Sequence, residues 1–557
     1  MKHYNDSCLA FVAQTFLSAV SPTFQSAERG KRKKPAMPDT VRPAGWEARE
    51  TADKNVCATP TKQLPLMKTL LFTCGTVAML LGGCAVGPDY NRPAPFGANA
   101  APSAFTVAPD TNAGQWKLAQ PSAHLPRGAW WELFGDPELN RLETLASTNN
   151  QQLAAALSNF QQARALVDVS SAGYFPQLSA NPSFTRQRTS ANQSSRSGVA
   201  GSSFTFNTFS VPLDAAWEID LWGRVRRAVE GSRARMAAAQ DDLESLRLTV
   251  QAEVAIDYFT LKSRDAQQRL FEETAVTYRR SLELTQNRRQ SGIASDLDVS
   301  QAETQLRAAE AEIPAIDLQR ASLRHALATL CGQPATTFEL AETTNTIHAP
   351  SIPVSLPSEL LERRPDVAAA ERRMAAANAD VGVANAAFYP SVTLNGLAGF
   401  QSISASTLFN WESRLWSVGP TLSLPLFTGG RNRAQLASAR AAYEATVANY
   451  RQTVLSAFQD VEDQLAAQRL LSRQSEAENA ALKSARRTLD ISLNRYKGGV
   501  ITYLEVATAQ SIALSHEQTV VQLNATRLNA SISLIKALGA GWDTIALGEQ
   551  QYLLKKQ

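Results

Sequence analysis

Two hydrophobic rhythms divide this chain. In the first, Val225, Val229, Met236, Leu243, Leu246, Val250, Val254, Tyr258 and Leu261 recur at helical steps, the narrow apolar seam of a helix that packs lengthwise on others. Residues 232–291 and 431–497 contain neither Gly nor Pro and are dense in Ala, Leu, Arg, Gln and Glu. Each predicts an uninterrupted helix on the order of 90 to 100 Å long. Gly292 and Gly498-Gly499 follow them, and a glycine there turns the chain back into returning helices over about 295–331 and 501–538. Shorter helices are predicted upstream, over about 149–173 and 365–387. An ordinary bundle shares such a seam but rarely needs helices this long.

The second rhythm has a period of two. Val418, Pro420, Leu422, Leu424 and Leu426 alternate with polar or small residues, as do Phe204 with Phe206 and Val392 with Leu394. Ser/Asn/Gly-rich tips at 189–203 and 401–414 separate the members of each pair, which predicts two β-hairpins and four strands per chain. The two rhythms also repeat together. Tyr174-Phe175-Pro176 is matched by Phe388-Tyr389-Pro390, Gly223-Arg224 by Gly430-Arg431, and Gly292-Ile293 by Gly499-Val500, the last two pairs at an offset of 207. The predicted fold class is therefore mainly α with a β part: long coiled-coil hairpins plus four strands, internally duplicated. Alternating apolar faces without a spanning helix fit a transmembrane β-barrel, and four strands cannot close one, so several chains must contribute. The rival expectation is a small soluble sheet capping a bundle.

Composition narrows the function. With 557 residues and 44% hydrophobic content, disorder and a disulfide-stapled mini-domain are excluded. Ten Lys/Arg and six Asp/Glu fall within residues 1–66, and Lys68 is the only charge from 67 to 83. Of 55 basic and 51 acidic residues, the part from 84 onward keeps 44 and 45, a net of −1, which implies no nucleic-acid partner. Cys8, Cys57, Cys74, Cys84 and Cys331 form no CxxC pair, and five scattered histidines show no metal-ligand spacing. GxGxxG, GxxxxGK[ST] and GxSxG are absent. No enzyme, cofactor or metal site is expected.

Met67-Lys68 opens a short apolar run that ends in Leu81-Gly82-Gly83-Cys84, the layout of an export signal too short to span a bilayer. The ending resembles a bacterial lipobox, which implies cleavage before Cys84 and lipidation of its thiol. Ala85 rather than Asp at the next position favours the outer membrane under the same resemblance. Residues 1–66, with the basic run Lys31-Arg32-Lys33-Lys34, are read as upstream sequence ahead of a start at Met67.

From Cys84 to about Asp543 the chain resembles the TolC-type outer-membrane factors, in particular the NodT/OprM-like lipoprotein branch. The marks are Cys84-Ala-Val-Gly-Pro-Asp-Tyr90, Trp130-Trp131 with Phe134, Asp136-Pro137 and Leu139, and Asn149-Asn150. To these are added Trp217-Glu-Ile-Asp-Leu-Trp-Gly-Arg224, Leu361-Glu-Arg-Arg-Pro-Asp-Val367 and Ala386-Ala-Phe-Tyr-Pro390. The resemblance implies a homotrimer whose pooled strands form one outer-membrane barrel, continued by a periplasmic α-barrel and a mixed belt over 85–148, 332–357 and 540–557. It divides the chain into an extension (1–66), a lipoprotein signal (67–83), a first repeat (84–355) and a second repeat (356–557). It further implies a passive exit duct in a tripartite efflux system, lipid-anchored in the outer membrane. The implied partners are a periplasmic adaptor and an inner-membrane transporter, of resistance-nodulation-division type. Gly292, Ile293, Gly499 and Val500 would be adaptor-contact tips. Asp298 and Glu505 would be periplasmic-aperture carboxylates, which three copies would gather into rings; Thr508 departs from relatives with a second Asp. Alternatives are a type I protein-secretion outlet and, in a different class, a structural coiled-coil envelope lipoprotein.

Overall fold

The computed structural model describes residues 85–96, 128–191, 203–340 and 363–540, all within one compact unit, Thr73–Gln557. Helices α1 (Pro137–Asn149) and α2 (Gln151–Ser171) lead into strands β1 (Gln177–Ala180), β2 (Ser183–Arg188) and β3 (Thr205–Ile219). The long helix α3 (Arg224–Gln290) returns as α4 (Asp296–Leu330). The second half repeats the plan with α5 (Pro365–Ala386), β4 (Ser391–Ser402), β5 (Arg414–Ser423), α6 (Arg431–Lys497) and α7 (Tyr503–Ala537). The duplication is metrically close, since α3 and α6 are each 67 residues long and α4 and α7 each 35. At 1.5 Å per residue the long helices extend about 100 Å.

Two expectations are refined. Helix α3 begins at Arg224, eight residues before the stretch free of Gly, and runs through Gly231. A Cβ there would sit 3.4 Å from the Ala379 methyl, so Gly231 serves close approach of α3 to α5 instead of breaking the helix. The first strand is written in two pieces because Asn181-Pro182 interrupts it. Ala180 pairs with Leu213 and Ser183 with Ser210, so the register continues across the gap; the Asn181 N–H donates to the Pro212 carbonyl (3.3 Å), and the missing rung is the return bond that Pro212, without an N–H, cannot donate. The sheet is thus four strand courses in the antiparallel order β1/β2, β3, β4, β5.

The helices pack lengthwise: α3 lies along α2, α4, α5 and α7, and α5 lies between α3 and α6. Core is distributed in segments along the bundle instead of gathered at one centre. The largest segment joins Leu139 and Leu142 of α1 to Val254, Tyr258 and Phe259 of α3 and to Leu327, Ile532 and Ile535. There Asp136, 2% exposed, caps α1 through the Glu138 N–H (3.0 Å) and accepts the Tyr258 hydroxyl and the Lys262 ammonium, both at 2.8 Å. Burial acts to raise its pKa, but the Lys262 and Tyr258 hydrogen bonds outweigh it and hold the carboxyl below its ordinary range. Among the described residues no helix is long and apolar enough to cross a membrane.

Residues 85–96 form a strap on this frame. The Val86 N–H donates to the Trp222 carbonyl (3.0 Å), Asn378 Nδ2 donates to the Pro88 carbonyl (3.0 Å), and Asp89 pairs with Arg227 at 2.7 Å. Gly87 has φ +114°, and a Cβ there would lie 2.7 Å from Gly382 Cα, so the strap fits only as glycine.

Candidate functional site

Among the described residues no three or more His, Cys, Asp or Glu side chains gather as metal ligands would; the distinctive surfaces are the two ends. At the sheet end, register and the period-two alternation of strands fix which side chains share a face. Phe209, Val211, Leu213, Ala215, Trp217 and Ile219 of β3 align with Val392, Leu394, Ala398 and Phe400 of β4. These continue into Trp416, Val418 and Leu422 of β5. The opposite face carries Ser210, Asp214 and Glu218, Thr393, Asn395 and Gln401, and Ser417, Thr421 and Ser423. The apolar face lies open: Leu213, Trp416, Val418 and Leu422 are 58%, 74%, 68% and 67% exposed. Each such side chain left in water forgoes about 1.5–3 kcal/mol of burial, so this face calls for an apolar medium.

Its dimensions fit a bilayer. The 12 residues of β4 reach about 40 Å, and a strand tilted by about 45° then crosses about 28 Å, the thickness of the hydrocarbon core. Aromatic residues border the sheet at both ends. Tyr174, Phe175, Trp217, Trp222, Phe388 and Tyr389 lie at the helix-proximal end, with Trp222 Nε1 donating to the Pro390 carbonyl (2.7 Å) and its ring stacked on Tyr389. Phe184, Phe204, Phe209, Phe400, Phe409 and Trp411 lie at the far end. Two such girdles flanking an apolar band mark a membrane-spanning sheet. The courses β1/β2 and β5 each pair on one side only.

At the other end, both hairpins turn through the same cap. The Gly292 and Ile293 N–H groups donate to the Arg289 and Arg288 carbonyls (2.9 and 2.8 Å), and those of Gly499 and Val500 to Tyr496 and Arg495 (2.9 and 3.0 Å). Gly292 and Gly499 have φ +72° and +74°, the left-handed geometry of this cap. Ile293 and Val500 are both 66% exposed. Beside them, the first three turns of α4 and α7 flank an open groove of about 490 Å³ lined by Leu297, Thr304, Leu504, Thr508 and Ile512.

Asp298 and Glu505 stand in those first turns but in different states. Asp298 belongs to a capping box: its carboxylate accepts the Ser295 N–H and hydroxyl (2.9 Å each), while its own N–H donates to Ser295 Oγ at 3.2 Å. Thr502 makes no side-chain cap for α7, and Glu505 is exposed. Sequence reasoning missed the network that joins the two tips. Arg288 Nη1 donates to the Tyr496 and Lys497 carbonyls (3.0 and 3.2 Å). The Tyr496 hydroxyl meets Thr285 Oγ1 (3.4 Å), and the rings of Tyr496 and Tyr503 pack edge to face at 5.6 Å. The only signal for it was the placement of aromatic residues on both sides of the second turn. Cys84 lies outside the described residues; its neighbour Ala85 rests against Gly223, whose added Cβ would be 3.0 Å from Ala85 Cα.

A profile of the family described as outer membrane efflux protein matches residues 143–333 and 356–540. The chain belongs to this family. It is 32% identical over 479 residues to the toluene efflux pump outer membrane protein TtgC of Pseudomonas putida, covering 86% of this chain and 96% of TtgC. It is 32% identical over 469 residues to the cation efflux system protein CusC of Escherichia coli, covering 84% and 97%. The solved structure of the outer-membrane channel OprN superposes with a TM-score of 0.73 at 31% identity, covering 82% of this chain and all of OprN. The family member described here is accordingly an outer-membrane efflux duct, with the sheet as its membrane part and the long hairpins as its extension into the periplasm. The soluble-sheet expectation is set aside.

Proposed function

We propose that three copies of this chain pool their sheets into one closed barrel and their hairpins into one helical tunnel, the exit of a tripartite pump. The carrying observation is a membrane-facing sheet with two open edges, because unpaired edge groups cost several kcal/mol each in hydrocarbon. Three sets of four courses make twelve strands, within the range of about 8 to 26 found for bacterial barrels. Cys84 is the lipid anchor in this reading, supported by the strap that begins at Ala85 beside the sheet's helix-proximal end.

The exposed tips Gly292-Ile293 and Gly499-Val500, with the groove between α4 and α7, are the contact for a periplasmic adaptor, since exposed apolar residues at a rigid turn invite docking. Asp298 and Glu505 ring the periplasmic aperture. The energy source is an inner-membrane transporter, in keeping with relatives named as parts of a toluene efflux pump and a cation efflux system; the family resemblance read from the sequence makes it of resistance-nodulation-division type. Toluene for one relative and cations for another indicate that cargo is chosen upstream, and the duct conducts what it is given. The purified assembly, fused into a planar bilayer, should show discrete conductance steps. Protein that binds the bilayer without conducting would overturn the duct.

A further inference from the structure

The duplication supplies an internal comparison at the junction of sheet and long helix. In the first repeat, Arg224 and Arg226 open α3 and are neutralised by Glu218 and Asp220. In the second, at an offset of 207, Arg431 and Arg433 open α6, but the two acids are replaced by Pro425 and Phe427. Among the described residues Arg431 and Arg433 make no ion pair, and both are exposed.

The acids have given way to an apolar surface. Leu426 and Phe427 are 88% and 91% exposed, directly after the last rung of β5, where Ser423 pairs with Ser391. The start of α6 is held rigidly at this level. Asn432 is buried and its Nδ2 donates to the Ala387 carbonyl at 2.8 Å, beside Phe388 and Tyr389 of the helix-proximal girdle. Arg431 and Arg433 therefore flank a fixed residue at the depth where hydrocarbon gives way to headgroups.

We propose that Arg431, Arg433 and Phe427 bind the headgroup of an anionic phospholipid in the periplasmic leaflet. The phosphate accepts from the two guanidiniums, whose forked donors suit it, while Phe427 and Leu426 enter the acyl region. The paired arginines of the first repeat lack both the free charge and the apolar neighbour, so each chain holds one such site.

The test uses the full-length assembly, extracted, delipidated and offered phosphatidylglycerol or phosphatidylethanolamine, with bound lipid counted by native mass spectrometry. Wild type should prefer phosphatidylglycerol. The Arg431→Gln/Arg433→Gln variant should lose that preference by roughly thirtyfold, the scale for removing two charges at a membrane surface. Arg431→Lys/Arg433→Lys should keep most of it, and Arg224→Gln/Arg226→Gln should keep all of it. Equal retention of both lipids by wild type, or an unchanged preference in the Gln variant, overturns the site. So does a Gln variant that dissociates into single chains, because an acid of a neighbouring copy would then be the true partner.

Discussion

Arg288, from the first long helix, closes the end of the second. Its guanidinium donates to the Tyr496 carbonyl at 3.0 Å and lies 4.7 Å from the centre of the Tyr496 ring. The last carbonyls of α6 have no partner within the helix itself; the cap gives Tyr496 the Gly499 N–H, and the cation from the neighbouring hairpin adds a second donor there and one to Lys497, favoured also by the helix dipole. The tips of the two repeats are thereby one mechanical unit. Arg288→Ala should leave global thermal stability nearly unchanged, since about 1 kcal/mol from two such bonds is local to a partly exposed end. Hydrogen exchange at residues 494–500 should accelerate severalfold in the variant. Unaltered protection there would mean that the tips are held by helix packing alone.

The glycines of equivalent caps should respond unequally to alanine. A Cβ at Gly292 meets nothing within 4 Å, whereas one at Gly332 would lie 2.2 Å from the Asn149 carbonyl oxygen. Gly292→Ala should cost about 1 kcal/mol, the strain of a left-handed alanine. Gly332→Ala must also displace the junction of α1 and α2, and should cost several times more. Equal shifts in thermal unfolding would contradict the contact geometry.

Glu143 of α1 is fully buried, and neither carboxylate oxygen has a hydrogen-bond partner. Burial alone pushes its pKa well above the ordinary value, so the fold favours the protonated carboxyl. Its contribution is fully present below the unfolded pKa, about 4.3, and is lost as pH rises toward the folded pKa. Glu143→Gln should match wild type at pH 4 and unfold at a higher temperature than wild type at pH 8. A variant less stable than wild type at pH 8 would show that the carboxylate has a charged partner.

The aperture assignment predicts a change in conduction. Three copies each of Asp298 and Glu505 near one axis should make the pore cation-selective and open to divalent block. Asp298→Asn with Glu505→Gln should weaken both effects in planar-bilayer recordings. Because Asp298 also completes the capping box of α4, the double variant should lose up to about 1 kcal/mol of stability. Identical selectivity and block in the two forms would place these carboxylates away from the pore.

The long helices were legible because nothing in 232–291 or 431–497 interrupts them, and the four strand courses because apolar residues alternate at Phe204/Phe206, Val392/Leu394 and Val418 to Leu426, although β5 ends at Ser423 and leaves Leu424 and Leu426 beyond the sheet. What was hidden depended on contacts between distant residues. Gly231 reads as a helix breaker until Ala379 is seen against it. The pairing of Arg288 with Tyr496 spans 208 residues, and no local pattern encodes it. The unequal surroundings of Asp298 and Glu505 turn on Ser295 against Thr502, two good capping residues of which only one caps.

The shared barrel is tested most directly by the mass of the detergent-extracted protein. Light scattering with the detergent contribution subtracted should give the mass of three mature chains, since four strand courses with two open edges cannot close alone. A well-folded single chain in detergent would contradict the shared barrel, and with it the duct built from it.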